Sequence, residues 1–336
     1  MSTSAQEAAP WPPLQEKLIL KGYETTAMPT LIYGTAWKAE KTADFVYKAI
    51  KAGFRGIDTA GQPKHYKEPL VGEGIRKAIN EGIVTRKDLY IQTKFCPVGG
   101  QDPNDMPYDP HLPITDQIHA SIASSIRNLA TPDQETPYLD CVVLHSPYSK
   151  ARDTLTAYQV LSSYVPHSIR HLGISNVTLA ELQALVASAD DGDVDISGAP
   201  LLPPAVVQNR FYRATAYDGK LRAWCRERGI AFQSFWTLSA NRDLLRHPVV
   251  EAARQAAQAG VGAEQNITID KAVALYALVL GLRGTAMLDG TTDEEHMRGD
   301  VQGLEAVRRW TEGEGRETFG QLLEDFRWVI GEGGQA

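Results

Sequence analysis

The sequence predicts a single closed (β/α)8 barrel of the TIM type, and three observations carry that expectation. Eight short, almost continuously apolar runs alternate with longer amphipathic stretches nearly to the end of the chain. Strict alternation calls for a parallel sheet, and unbroken apolar runs suit strands covered on both faces. An open dinucleotide-binding sheet would carry G-x-G-x-x-G after its first strand. Here TLIYGTAWKAEKT has no such turn, and Gly72-Glu-Gly74 lies inside a helical pattern. A length of 336 residues without an obvious linker completes the case for one barrel.

In chain order the strand runs are TLIYGT (30–35), FRGIDTA (54–60), LYIQTKF (89–95), LDCVVLHS (139–146), IRHLGISN (169–176), AVVQNRF (205–211), IAFQSFW (230–236) and GTAMLDG (284–290). Helical periodicity marks TADFVYKAIKAG (42–53), LVGEGIRKAINEG (70–82) and TLAELQALVASA (178–189), among others. Before the first run, EKLILKGYETTAMP reads as a hairpin closing the barrel bottom. Two irregular stretches stand out: the Gly/Pro/Asp-rich 96–113, on the carboxyl side of a strand where barrel sites are built, and 191–204 on the opposite side. The expected organisation is a disordered tail over 1–15, the barrel with an extra carboxyl-terminal helix over 16–330, and a flexible tail over 331–336.

Composition narrows the function. Lys and Arg total 34 against 41 Asp and Glu, a formal charge of −7 with no basic run, which argues against a nucleic-acid partner. The three cysteines, Cys96, Cys141 and Cys225, are odd in number and far apart, so neither a disulfide framework nor a metal knuckle is expected. No apolar stretch approaches a membrane span or a secretory core. These features point to a protein of the reducing cytoplasm, and no feature of the sequence sets an oligomeric state.

The ends of the strand runs carry the chemistry. Asp58, Lys94 and His145 stand at three of them, and Tyr66 lies in the loop after Asp58. Singly, each has an ordinary explanation: a turn cap, a snorkelling lysine, a core histidine. Together they form a useful set. A buried lysine needs a counter-charge, and Asp58 stands on the neighbouring strand. A phenol with a pKa of about 10 is a weak acid at neutral pH, and a nearby ammonium would lower that value. His65 is the other candidate acid in the loop. A metal-dependent hydrolase would need more His and Asp ligands at strand ends than are present, so no metal is expected.

GFRGIDTA with its following Tyr, TKF, LHSP and GISN, arriving in this order between about Leu31 and Asp300, resemble the aldo-keto reductase superfamily. The resemblance implies reduction of an aldehyde or ketone with NADP(H) or NAD(H), and a tetrad of Asp58, Tyr66, Lys94 and His145. Tyr66 would give the proton and His145 would hold the carbonyl oxygen. It further implies coenzyme contacts at Thr35, Ser175, Asn176, Gln208, Phe235, Trp236 and Leu238, with Phe235 replacing the usual stacking Tyr. Trp37, Tyr148, Tyr212 and Trp236 are expected to line the substrate pocket. The resemblance also includes nucleotide-binding regulatory proteins with little turnover, which stand as the alternative.

The chain departs from the family pattern in three places. Seven residues, TAGQPKH, separate Asp58 from Tyr66, where about four are usual. After the last strand the family commonly has a Lys and a later Arg for the 2′-phosphate of NADP; here Asp289 holds the Lys position, which leans toward NAD. Gly290, Thr291 and Thr292 could still cradle a phosphate at a helix start, and Arg298 could supply a cation. Finally, the loop after His145 is short, and the 96–113 loop is expected to replace it as a substrate lid.

Overall fold

The eight apolar runs form eight parallel strands that pair in chain order and close into a barrel, the last strand beside the first. The computed structural model describes residues 11–191, 200–261 and 267–333. Two antiparallel strands, β1 (Lys17–Leu20) and β2 (Thr26–Pro29), make the expected hairpin. The barrel strands are β3 (Leu31–Gly34), β4 (Gly56–Asp58), β5 (Tyr90–Phe95), β6 (Leu139–Leu144), β7 (Ile169–Ser175), β8 (Val206–Arg210), β9 (Ala231–Phe235) and β10 (Thr285–Asp289). Most of the predicted 191–204 loop falls outside the described residues.

The two-residue period of a strand sorts its side chains into a barrel interior and a layer under the helices. Ile32, Tyr90, Cys141, Val143, Val206, Ala231 and Ala286 pack together inside, joined by Leu18, Leu20 and Met28 of the hairpin, which plugs the amino-terminal mouth. Their neighbours in sequence, such as Ile57, Ile91, Val142, Leu144, Val207 and Phe232, face the helices instead. Space inside is tight at Gly173, where a Cβ would come within 2.9 Å of the Val206 carbonyl oxygen, so glycine is required there.

The helical layer follows the predicted spacing, with α1 (Thr42–Ala52), α2 (Glu68–Asn80), α3 (Ile114–Leu129), α4 (Ala151–Ser162), α5 (Leu179–Asp190), α6 (Gly219–Glu227), α7 (Arg242–Arg246), α8 (Pro248–Val261), α9 (Lys271–Leu280), α10 (Glu294–Glu312) and α11 (Arg316–Val329). Sequence explains the ends: Gly53 takes φ 118° after α1, and Thr178 and Glu181 form a reciprocal capping box at the start of α5. No described helix is long and apolar enough to cross a membrane.

Both chain ends correct the sequence reading. Within the expected tail 1–15, residues 1–10 lie outside the described residues, but Leu14 is buried and its N–H donates to Thr311 Oγ1 at 3.2 Å. At the other end, the Glu332 carboxylate accepts from the buried Arg222 guanidinium, so the chain is fastened beyond Gly331; 334–336 lie outside the described residues.

Candidate active site

Strand parity puts Asp58, Lys94, Gln92, Gln208 and Gln233 in the barrel interior near its carboxyl end, where a charge is costly unless paired. Lys94 Nζ donates to Asp58 Oδ2 at 2.5 Å and to the Thr59 carbonyl at 2.9 Å. The other Asp58 oxygen accepts from Gln92 Nε2 at 2.7 Å and Gln208 Nε2 at 3.0 Å, and both amides also donate to Gln233 Oε1 at 2.8 Å. A layer of three glutamines therefore fixes the carboxylate, and the carboxylate fixes the lysine. Sequence reasoning reached Gln208 through resemblance but passed over Gln92 and Gln233, although a Gln amid apolar strand residues at matching register is a visible signal.

The long loop delivers Tyr66 to the cavity despite its three extra residues. Gln62 turns it: its carbonyl accepts from the N–H groups of His65 and Tyr66, both at 3.0 Å, while Trp37 N–H donates to the His65 carbonyl at 2.8 Å. Tyr66 then stands edge-on to His145, ring centroids 6.1 Å apart, with Lys94 Nζ 5.2 Å from its ring centre. Two expectations need correction here. Burial, reinforced by Asp58 and Cys96, raises the Tyr66 phenol far above its ordinary value, the reverse of the expected lowering, and the Lys94 ammonium donates to Asp58. And none of the residues lining the cavity comes from 96–113. That segment instead braces the tyrosine loop: Gln101 Nε2 donates to the Gly61 carbonyl at 2.8 Å, and Gln62 Nε2 to the Gly100 carbonyl at 2.5 Å.

His145 continues β6, its N–H donating to the Phe95 carbonyl at 2.9 Å. Burial, with Lys94 and His65 adding repulsion, holds its pKa down to about 3, so the ring is neutral at physiological pH. Its Nδ1 is buried without a partner among the described residues, and its carbonyl accepts from Asn176 Nδ2 at 2.9 Å.

These groups open onto a cavity of about 760 Å³. Asp58, Tyr66, His145, Ser175, Asn176, Gln208, Phe235, Trp236 and Leu238 all line it, as do Trp37, Gly290, Thr291 and Thr292, while Lys94 lies beneath Asp58. Four expected contacts do not line it. Thr35 is wholly buried and donates to the Asp58 carbonyl; Arg298 turns outward to Glu294 at 2.9 Å. Tyr148 packs against the core, and Tyr212 lines a neighbouring cavity.

Asp289 has the outward parity of Met287, so its carboxylate lies under the helical layer among Thr291 N–H at 2.9 Å, Tyr276 Oη at 3.5 Å and Asp300. Burial and the facing Asp289 push the Asp300 carboxyl up to about 9, which keeps it protonated at neutral pH. The cation at this end of the cavity is Lys38, unsuspected from sequence: its Nζ donates to the Gly290 carbonyl at 2.8 Å, and burial draws it down to about 8 against the pull of Asp289. A lysine directly after the cavity residue Trp37 was the available signal.

The polar lining fits a nicotinamide nucleotide. Phe235 offers an aromatic face, Ser175 and Asn176 offer a hydroxyl and an amide, and Lys38 offers positive charge at the far end, where the first N–H groups of α10 are already taken by the Asp293 carboxylate. Among the described residues no group of three His, Cys, Asp or Glu side chains is placed to hold a metal ion.

A parallel barrel with its polar groups gathered at the carboxyl mouth defines a barrel-enzyme class of protein. Residues 28–246 match the Aldo/keto reductase family, and the chain belongs to that family. An uncharacterized oxidoreductase of Bacillus subtilis, YtbE, is 28% identical over 206 residues, 61% of each chain. An NAD(P)H-dependent pentose reductase of Pyricularia oryzae is 51% identical over 76 residues, 22% of this chain and 21% of that one. The alignments thus span less than two thirds of these relatives. The solved aldo-keto reductase of the silkworm, Bombyx mori, shares the fold with a TM-score of 0.62 at 18% identity, covering 88% of both chains.

Proposed function

We propose that the protein reduces an aldehyde or ketone to the alcohol with NADH or NADPH, in the cytoplasm, with Tyr66 as proton donor. The observation that carries this reading is the approach of Tyr66 and His145 on one wall of the cavity directly above the Asp58–Lys94 pair. A reduced nicotinamide, when bound, supplies the hydride. The chain's own residues do the rest. Neutral His145 can donate an N–H to the carbonyl oxygen, and the phenol of Tyr66 holds its proton until negative charge develops on that oxygen. The phenolate left behind lies within the field of the Lys94 ammonium, 5.2 Å from the ring centre. Phe235 and Asn176 orient the ring, and Gln62, Gln101 and Trp37 hold the tyrosine loop.

Coenzyme use leans toward NAD. The relatives carry names such as NAD(P)H-dependent and NADPH-dependent reductase, but here the Asp289 carboxylate borders the adenosine end beside Lys38. A nucleotide-binding protein with little turnover is the second reading, favoured by the raised phenol and by the absence of a Lys94–Tyr66 hydrogen bond. Oxidation of NADH and NADPH by a panel of aldehydes separates the two. Tyr66→Phe should cut reduction by about 10²- to 10⁴-fold while coenzyme still binds. Full activity in that variant would move the acid to another group, His65 being nearest in the loop.

A further inference from the structure

Arg210 is the residue of this site that neither the tetrad nor the coenzyme contacts use. It ends β8 with the inward parity of Val206 and Gln208 and therefore emerges at the carboxyl mouth just above Gln208. Its guanidinium lies 4.0 Å from the ring centre of Trp236 and 5.1 Å from that of Tyr212, with Phe235 at 5.8 Å. Aromatic faces hold a guanidinium in place without using its N–H groups.

Those N–H groups have no partner among the described residues. Among the described residues Arg210 donates no hydrogen bond and pairs with no acid, and its Nε is buried without a partner. Among the described residues the acids that line the neighbouring cavity with it are engaged elsewhere: Asp218 accepts from Asn209 Nδ2 at 2.9 Å, and Glu332 pairs with Arg222. A half-buried cation whose donors are fixed in space and unused is prepared for an anion from outside.

Its position says which anion. Arg210 and Asn176 line both the main cavity and a second one of about 650 Å³, enclosed by the start of α5, the 212–221 segment and Gly331–Glu332. Asn176 in turn holds the His145 carbonyl, so Arg210 shares its cavity lining with the residues around the candidate carbonyl site. Lys38, which would take the coenzyme phosphates, donates to the Gly290 carbonyl after β10, and β9 separates that side from β8. The unpaired guanidinium therefore faces the substrate end.

We propose that Arg210 selects carbonyl substrates that carry a carboxylate, pairing with it through the guanidinium fork while the carbonyl rests at Tyr66 and His145 and the chain between them reaches toward the second cavity. The proposal rests on the carbonyl-reduction reading of the same site.

The test compares 4-carboxybenzaldehyde with its neutral methyl ester in the full-length wild type, Arg210→Gln and Arg210→Lys. The ratio of their kcat/KM values should favour the acid in wild type, fall by about 10- to 100-fold in Arg210→Gln through the KM for the acid, and recover in part in Arg210→Lys. Binding of 4-(hydroxymethyl)benzoate to the protein–coenzyme complex, read from tryptophan fluorescence, should weaken in parallel. An unchanged ratio with turnover intact would overturn the role of Arg210, and so would a loss matched by equal weakening of coenzyme binding. If neither aldehyde is reduced yet benzoate binding still depends on Arg210, the reductase reading fails and the anion site stands; benzoate binding indifferent to Arg210 overturns the site regardless of turnover.

Discussion

Replacing Asp300 by Asn should stabilise the protein, by an amount that grows with pH. Asp300 is 5% exposed and faces Asp289 beneath α9 and α10, and its carboxyl is raised from 3.8 to about 9. A carboxyl raised on folding binds its proton more tightly in the native state than in the unfolded chain. Its stability is whole below pH 4 and drains away as pH climbs toward 9, because the unfolded chain releases a proton that the folded one must keep. Each pH unit in that window costs about 1.4 kcal/mol for one full proton, so roughly three units to pH 7 set a ceiling near 4 kcal/mol. Proton sharing with Asp289 and relaxation around the pair bring the expected effect to the order of 1–2 kcal/mol. The amide of Asn can still donate toward Asp289 as the protonated acid does, so the packing is kept. Urea unfolding of wild type and Asp300→Asn at about pH 5, 7 and 8.5 should give a gap that widens at each step. A gap of constant size, or a variant weaker throughout, would show that Asp300 does not carry the proton.

Asp289→Asn removes the negative charge nearest the adenosine end of the cavity and should raise the affinity for NADPH relative to NADH by about 3- to 10-fold, read from the two dissociation constants; an unmoved ratio would end the case for an NAD-leaning site. Gln101→Ala removes the brace between the 96–113 segment and the Gly61 carbonyl. It should lower kcat by about 3- to 10-fold with substrate preference unaltered, whereas a changed preference with kcat intact would return that segment to the role of a lid.

Much of the fold was legible because the physics that forms a parallel barrel is written as a period. Eight runs buried on both faces cannot be polar, so TLIYGT through GTAMLDG each mark a strand, and the strand ends mark the mouth. Asp58, Lys94 and His145 could be placed on that mouth by position, whereas Ser175 was reached only through the family resemblance. What escaped was direction. Asp289 ends its run as Asp58 does, but one step of parity turns its carboxylate away from the barrel and against Asp300, which follows in the second turn of α10. Lys94 pairs with Asp58, yet the burial that raises the Tyr66 phenol is set by the folded loop, and no spacing encodes that.

Conformation at the mouth was equally hidden. Trp37, Asn176 and Trp236 line the main cavity with φ of 63°, 54° and 58°, a left-handed backbone that ordinary side chains avoid at a cost of about 1 kcal/mol or more each. Ala216 and Asp218, which line the second cavity, do the same with φ of 49° and 52°. A reader of the sequence expects Gly or Asn at such places and finds two tryptophans instead. The geometry supplies the reason: reversing the chain at Trp37 and Trp236 lays one indole against His65, ring centroids 3.9 Å apart, and the other under the Arg210 guanidinium. A glycine would make either turn at no strain and would leave the His65 ring and the Arg210 fork without the surface that fixes them. The left-handed turns thus stand at the cavity mouth, and each sets an indole against a polar group there, His65 or Arg210.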